Sequence, residues 1–440
     1  MTTQKSTDPP VVLLGASLNS LWAARTFARA GVHVYVLADG LPPPQLALYS
    51  RHAEVGVDIT DRSLIEARWT PWLERLPPPA VLIPCMDDGV EYLAGHRQHL
   101  VALGHLPAEA ADEVSLTMLD KQATYELAAS LGVEVPWTAL VGSVRELRNA
   151  AARIGYPCAL KPVWSHHFAP WFHVKAIVAR DWAELEQGLH RTQVSGLELL
   201  LTEIIPGTDD AYCSYFAYMD QAGRPLIQLT KHKLRQWPVG FGMGSLHVTG
   251  WVPDAADAGL KLFRGIGLRG VGNVEFKRDS RDGRLKLIEC NPRLTNSDHL
   301  LRRAGVDLAR IAYERALGRT PTLPSTYTPG LRQWHVADDI LASLALRREG
   351  RLSAWGWLGS VARPETRVPV LDLRDPMPSV IGAGYFARRA VRRARRGRAP
   401  RIPNESAEPV ADLPAPVATR SQHAAEGQAR SSEAPGAERP

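Results

Sequence analysis

The chain has 440 residues, 45% of them hydrophobic, more than one ordinary core accommodates, which predicts two or three domains around an interdomain cleft. A formal charge of +6 would suit a nucleic-acid partner, but seven arginines crowd between Arg388 and Arg398, so the remainder is near neutral and no specific nucleic acid is expected. No run reaches the roughly 18 uncharged apolar residues of a membrane span, and four well-separated cysteines, Cys85, Cys158, Cys213 and Cys290, show neither metal nor disulfide spacing, so a reducing cytoplasm is expected.

Val11 to Leu14 reads as a buried strand, Ser17 to Arg29 as a helix and Val32 to Leu37 as a second strand, a β-α-β unit that opens a parallel sheet. Only Gly15 matches a dinucleotide turn, so a substrate-binding Rossmann-like unit is expected over residues 1–115 instead of an NAD site. A further strand, Ala80 to Pro84, leads into Asp87, Asp88 and Glu91, carboxylates at the strand end where open α/β sheets bind ligands.

Asp120 is placed to cap a helix running to Leu131, Ser143 and Glu146 to form a capping box for a helix that stops before Gly155, and Asp181 and Asp254 to start two more. Pro, Thr and Ser between residues 321 and 329 mark a boundary, after which 321–398 reads as a small separate unit ending in a basic helix. Beyond it, 399–440 has the composition of a disordered tail.

The chemistry concentrates in two strand-like runs, Gly272 to Lys277 and Leu285 to Asn291, separated by a loop containing Asp282-Gly283, a turn signal. If 279 and 285 close the hairpin, Glu275 falls opposite Glu289 and Asn273 opposite Asn291, all four on one face. Like charges about 5 Å apart destabilise a sheet unless a cation lies between them. Hard oxygen donors suit Mg2+, which usually completes its shell with water and substrate phosphates, so a nucleotide-phosphate site is expected.

Glu289 to Arg293 (Glu-Cys-Asn-Pro-Arg), Asn273 to Phe276 (Asn-Val-Glu-Phe) and Tyr156 to Pro162 (Tyr-Pro-Cys-Ala-Leu-Lys-Pro) together resemble the ATP-grasp superfamily over about residues 10 to 320. The order looks like that of its carboxylate-amine ligases, which join a carboxylate to an amine through an acyl phosphate. The resemblance implies an α/β architecture, with a Rossmann-like domain and an ATP-grasp domain at 116–320 whose lid spans about 133–202. It implies that Lys121 and Lys161 hold ATP phosphates, that Glu203 with the Ile204 and Ile205 backbone binds adenine, and that Asp210 takes the ribose hydroxyls. Glu275, Glu289 and Asn291 would ligate Mg2+, with Mn2+ the alternative. Arg293 would contact the transferred phosphoryl group, and Lys233 and Arg235 the acyl phosphate or carboxylate. The partners implied are small carboxylate and amine substrates, and in many members a second copy of the chain.

The lid departs from this pattern: no glycine occurs from Pro162 to Gln187, and Ser165, His166 or Lys175 would replace backbone phosphate donors. His166, His167 and His173 are assigned no zinc, because adjacent histidines on a strand face opposite ways. The arginine-rich segment Arg388–Arg398 suits either peripheral contact with an anionic membrane or a solvated tail. Two rival readings are a biotin-type or carbamate-forming carboxylase and a nucleotide-binding scaffold of low turnover.

Overall fold

The computed structural model describes residues 8–40, 44–172, 176–193 and 195–395. The N-terminal unit comprises β1 (Val11–Leu14), α1 (Leu18–Arg29), β2 (Val34–Leu37), β3 (Glu54–Val57), α2 (Ile65–Arg75), β4 (Val81–Pro84), α3 (Asp87–Ala102) and β5 (Leu106–Pro107). Its strands form a parallel sheet in the order β3-β2-β1-β4-β5. Near-continuous apolar strands are what a parallel sheet covered on both faces requires, and every residue of β1 is fully buried. Gly89 in the first turn of α3 permits close approach to β1, since a Cβ there would lie 2.9 Å from the Leu14 carbonyl oxygen.

Helices α4 (Asp112–Leu119) and α5 (Lys121–Ser130) connect this unit to the lid, and Asp120 caps α5 by accepting from the Ala123 amide. The lid consists of β6 (Thr138–Val141), α6 (Val144–Ile154), β7 (Cys158–Pro162), α7 (Ser165–Phe172), β8 (Ile177–Ala179), α8 (Trp182–Gln193) and β9 (Leu199–Glu203). Its antiparallel sheet runs β6-β9-β7-β8 around a separate core that includes Leu147, Leu160, Phe172 and Leu201.

The remaining elements are β10 (Tyr212–Met219), β11 (Pro225–Trp237), β12 (Met243–Thr249), α9 (Pro253–Gly265), β13 (Gly270–Arg278), β14 (Leu285–Asn291), α10 (Asp298–Arg303), α11 (Leu308–Ala316), β15 (Arg332–Trp334), α12 (Val336–Arg348), α13 (Ala354–Val361), β16 (Thr366–Arg367) and α14 (Met377–Arg395). They build a seven-stranded sheet ordered β14-β13-β10-β11-β12-β15-β16. Helix α9 covers one face through Phe263 and Leu262 against Tyr215 and Val274. The core of the first sheet continues into the central unit through Phe216, Tyr218, Leu294 and Tyr313, so the two units share buried apolar surface.

The C-terminal segment corrects one expectation. Instead of a separate unit, it supplies β15, which pairs with β12, and β16, which pairs with β15, so a sheet edge that would otherwise present unpaired amides is covered. It then returns to the N-terminal unit, where Arg25 donates to Asp375 (2.9 Å) with both side chains buried. Arg388 is exposed on α14, and the expected tail at 399–440 lies outside the described residues. No described helix is long and apolar enough to cross a membrane.

Candidate active site

Strands β13 and β14 set Glu275 opposite Glu289 and Asn273 opposite Asn291. The pairing arises differently from the expectation that 279 and 285 close the loop. Arg278 faces Leu285, one residue earlier, and an extra residue, Ile288, then restores the register between Phe276 and Glu275. The carbonyl that this bulge frees accepts from the buried Tyr125 hydroxyl (2.8 Å), so α5 fixes the irregularity that aims Glu289. Asn291 Nδ2 donates to Asn273 Oδ1 (3.2 Å), consistent with a common face for the two amides.

The same face continues across the sheet, because Glu275 pairs with Ser214 and Ser214 with Lys231. Lys233, buried on β11, donates to Glu275 Oε1 (2.9 Å) and lies 4.0 Å from the Tyr212 ring centre. Lys231 shares a hydrogen bond with His247 Nδ1 (3.0 Å), and burial pushes its pKa down to about 7. Burial likewise lowers His335, to about 4, and His299, to about 3. His299 stacks on Trp22 of the N-terminal unit at 3.9 Å and shares a hydrogen bond with Gln333 (3.3 Å).

The N-terminal unit also supplies Asp87, at the start of α3. Arg293 Nε donates to Asp87 Oδ1 (2.5 Å). Burial opposes ionisation of Asp87, but Arg293 outweighs it and holds the carboxyl at about 2. Asp87, Lys121, Ser165, His166, Glu289 and Asn291 all line one pocket. Lys121 Nζ donates to Ser165 Oγ, and an isolated bridge joins Asp120 to Trp164, which ties the start of α7 to the first turn of α5.

Lys161 stands half-buried near the end of β7, opposite Leu200. Glu203 occupies the junction of lid and central sheet, accepting from the Trp137 amide (2.9 Å) and from Arg281 (2.9 Å). Ile204 is half-buried and Ile205 buried, whereas Asp210 is exposed and accepts from Thr208. Thus Glu275, Glu289, Asn291, Lys121, Lys233 and Arg293 converge with Asp87, while Glu203, Ile204, Ile205 and Asp210 lie at the end of β9 and in the segment leading to β10.

Arg235 does not join them. An extra residue, Leu234, interrupts the pairing of β11 with β12, so Arg235 falls on the face opposite Lys233. It forms a two-point pair with Asp339 of α12 (2.8 and 2.9 Å) and bonds Ser360 Oγ (2.8 Å). The expected role for Arg235 as a substrate contact is therefore replaced by a structural one. The histidines need a second correction: His166 and His167 lie in the first turn of α7, not on a strand, and both ring Nε2 atoms bond Glu91 Oε2. Lys175 and His173 lie outside the described residues. His247, His299, Gln333 and His335 were not singled out from sequence, although polar residues alternating at Ser245, His247 and Thr249 of a buried strand are a signal for a polar inner face.

Two opposed carboxylates with adjoining amides form a hard-oxygen donor set that fits Mg2+, and the neighbouring cations fit polyphosphate. The Rossmann-like unit, the lid and the carboxylate-bearing antiparallel sheet together form an ATP-grasp fold.

Residues 255–323 match the family model for the carbamoyl-phosphate synthase L chain, ATP binding domain. D-aspartate ligase of Enterococcus faecium (strain Aus0004) is 26% identical over 339 residues, covering 72% of this chain and 78% of that protein. The arginine-specific carbamoyl phosphate synthase large chain of Halalkalibacterium halodurans is 28% identical over 229 residues, 47% of this chain but only 21% of that longer protein. Among solved structures, the biotin carboxylase domain of 2-oxoglutarate carboxylase from Hydrogenobacter thermophilus superposes with a TM-score of 0.57 at 19% identity, covering 73% of each chain. The chain is thus similar to an ATP-binding domain over residues 255–323 and, over most of its length, to a D-aspartate ligase, with the fold of ATP-grasp proteins.

Proposed function

We propose that this chain transfers the γ-phosphoryl group of ATP to a carboxylate, giving an acyl phosphate and ADP, and that an amine then displaces phosphate to form an amide. The observation that carries this reading is the single face on which Glu275, Glu289 and Asn291 stand beside Lys233 and Lys231, with Arg293 held next to it by Asp87.

Lys121 and Lys161 would bind phosphates as the lid closes, and Glu203 with the 204–205 backbone would receive the adenine at the hinge. Glu275, Glu289 and Asn291 would hold Mg2+, or Mn2+ in its place, which when bound neutralises phosphate charge. Arg293 would steady the transferred group through its planar donor fork, kept in position by Asp87. Such sites work by positioning and by stabilising charge in the transition state. The attacking ammonium must lose a proton, and Lys231, with its pKa depressed to about 7 by burial, is poised to accept it near neutrality.

ADP release measured with a panel of carboxylates and amines tests the reading. Stimulation should require one member of each class together. ATP binding without stimulation by any pair would favour a scaffold, and turnover driven by bicarbonate alone would favour carboxylation.

A further inference from the structure

We propose that Glu91, His166 and His167 form a binding site for a borderline divalent cation of the Zn2+ type, distinct from the Glu275–Glu289 hairpin, that fastens the lid to the N-terminal unit.

The three residues come from two separate bodies. Glu91 stands on α3 of the Rossmann-like unit, and both histidines stand on the first turn of the lid helix α7. His166 Nε2 lies 3.0 Å and His167 Nε2 3.3 Å from the same carboxylate oxygen, and one ligand atom from each residue falls within 4.8 Å of the others. Zinc bonds to imidazole nitrogen and carboxylate oxygen are about 2.0–2.2 Å, which makes the edge of a tetrahedron about 3.3–3.6 Å long. Two of the three donor separations are therefore close to such an edge and the third is within 4.8 Å, so small side-chain adjustments would bring the three donors around one ion, with a fourth position left for water. Two imidazoles and one carboxylate are a borderline donor set, unlike the all-oxygen set of the hairpin, so the two sites select different ions.

The surroundings favour the protonation states that a metal requires. Burial pushes the pKa of His167 down, favouring neutral imidazole. Burial would raise that of Glu91, but the bonds from His166 and His167 outweigh it and hold the carboxyl below its usual range. In the ion-free arrangement the Nε2–H groups donate to Glu91. Coordination turns the Nε2 lone pairs to the metal while the ring protons reside on Nδ1, so neutral histidines release no proton. Ring orientation is fixed by Trp164, which stacks on His167 at 5.7 Å and 13° and meets His166 edge-on at 5.8 Å. Arg62, the nearby cation, is engaged by Asp88 and by the His166 carbonyl (3.1 Å).

The position gives the ion a role. His166 also lines the cavity shared by Lys121 and Glu289, so an ion on Glu91, His166 and His167 would set how far α7 closes over the expected phosphates. A lid without the usual glycine loop would thus be positioned by coordination.

The test uses the full chain in a Glu289→Gln background, which silences the hairpin and separates this inference from the proposed ligase function. Titration with Co2+ alone, without nucleotide, should show one equivalent bound with the intense visible absorption of four-coordinate cobalt, displaced by Zn2+. Glu91→Gln and, independently, His167→Ala should each weaken binding by about tenfold or more, with metal-free thermal unfolding unchanged. Should His167→Ala disturb folding, His167→Gln replaces it. Absence of the band at stoichiometric Co2+, or equal affinity in the variants, would overturn the proposal and leave Glu91 and the histidines as a hydrogen-bonded clasp only.

Discussion

Asp298 opens α10 with its side chain buried, accepting from the Thr295 amide through one oxygen while the other has no hydrogen-bond partner among the described residues. Burial raises its pKa from 3.8 to about 7. Below about pH 4 both folded and unfolded chains carry the proton. Between about pH 4 and 7 the unfolded chain ionises first, so the folded state binds more protons and stability falls as pH rises through that window. Asp298→Asn removes this titration. Calorimetry should show the melting temperature of wild type falling relative to Asp298→Asn between pH 5 and pH 8, and parallel curves would contradict the assignment. The two lysines of β11 form a contrast at the same scale. Lys233 reaches Glu275, and Lys233→Met should lower turnover by about 100-fold or more, the scale seen when a donor to developing charge is removed.

At the scale of elements, the hairpin was legible because its determinants are local: a turn at Asp282-Gly283, where Gly283 adopts φ of +75°, and two short alternating runs. The opposition of Glu275 and Glu289 follows from them, but the route does not. The bulge at Ile288 depends on Tyr125, more than 160 residues away in sequence, and no local pattern encodes that contact. Arg235 went astray for the same reason: alternation puts it beside Lys233, and the bulge at Leu234 turns it toward Asp339. Asp339 also accepts from Ser245 and from the indoles of Trp334 and Trp357, so its charge is thoroughly matched. Breaking a buried pair of this kind typically costs about 3–5 kcal/mol. Arg235→Met should show that loss in urea unfolding while turnover per folded molecule stays near wild type, the reverse of Lys233→Met. The glycine-free stretch after Pro162 is expected as a loop, with His166 and His167 on opposite faces of a strand, whereas it forms helix α7, whose capture by Asp120 and Lys121 is again a distant contact.

For the whole molecule, the order of Rossmann-like unit, lid and carboxylate sheet was readable, whereas the return of the C-terminal segment to both other units was not. Edge pairing of β15 and the burial of Asp375 against Arg25 join residues 84 to 350 positions apart, where sequence periodicity carries no information. Asp375 accepts from Arg25, from Ser50 Oγ (2.8 Å) and from the Arg51 amide (3.0 Å), so Asp375→Ala leaves a buried guanidinium uncompensated. It should cost about 3–5 kcal/mol and speed proteolysis near 370–381, and unchanged proteolysis would show that the contact does not tie the segment down.

The hairpin remains the centre of the account, and the most direct measurement on it is calorimetric titration of ATP with and without Mg2+ into wild type and Glu289→Gln, paired with ADP release. Mg2+ should tighten nucleotide binding in wild type and not in the variant, ADP release should be abolished, and thermal unfolding should stay near wild type, since a metal ligand and not core packing has been removed. Retention of Mg2+-dependent binding and turnover by Glu289→Gln would contradict the assignment of the two facing carboxylates to the metal.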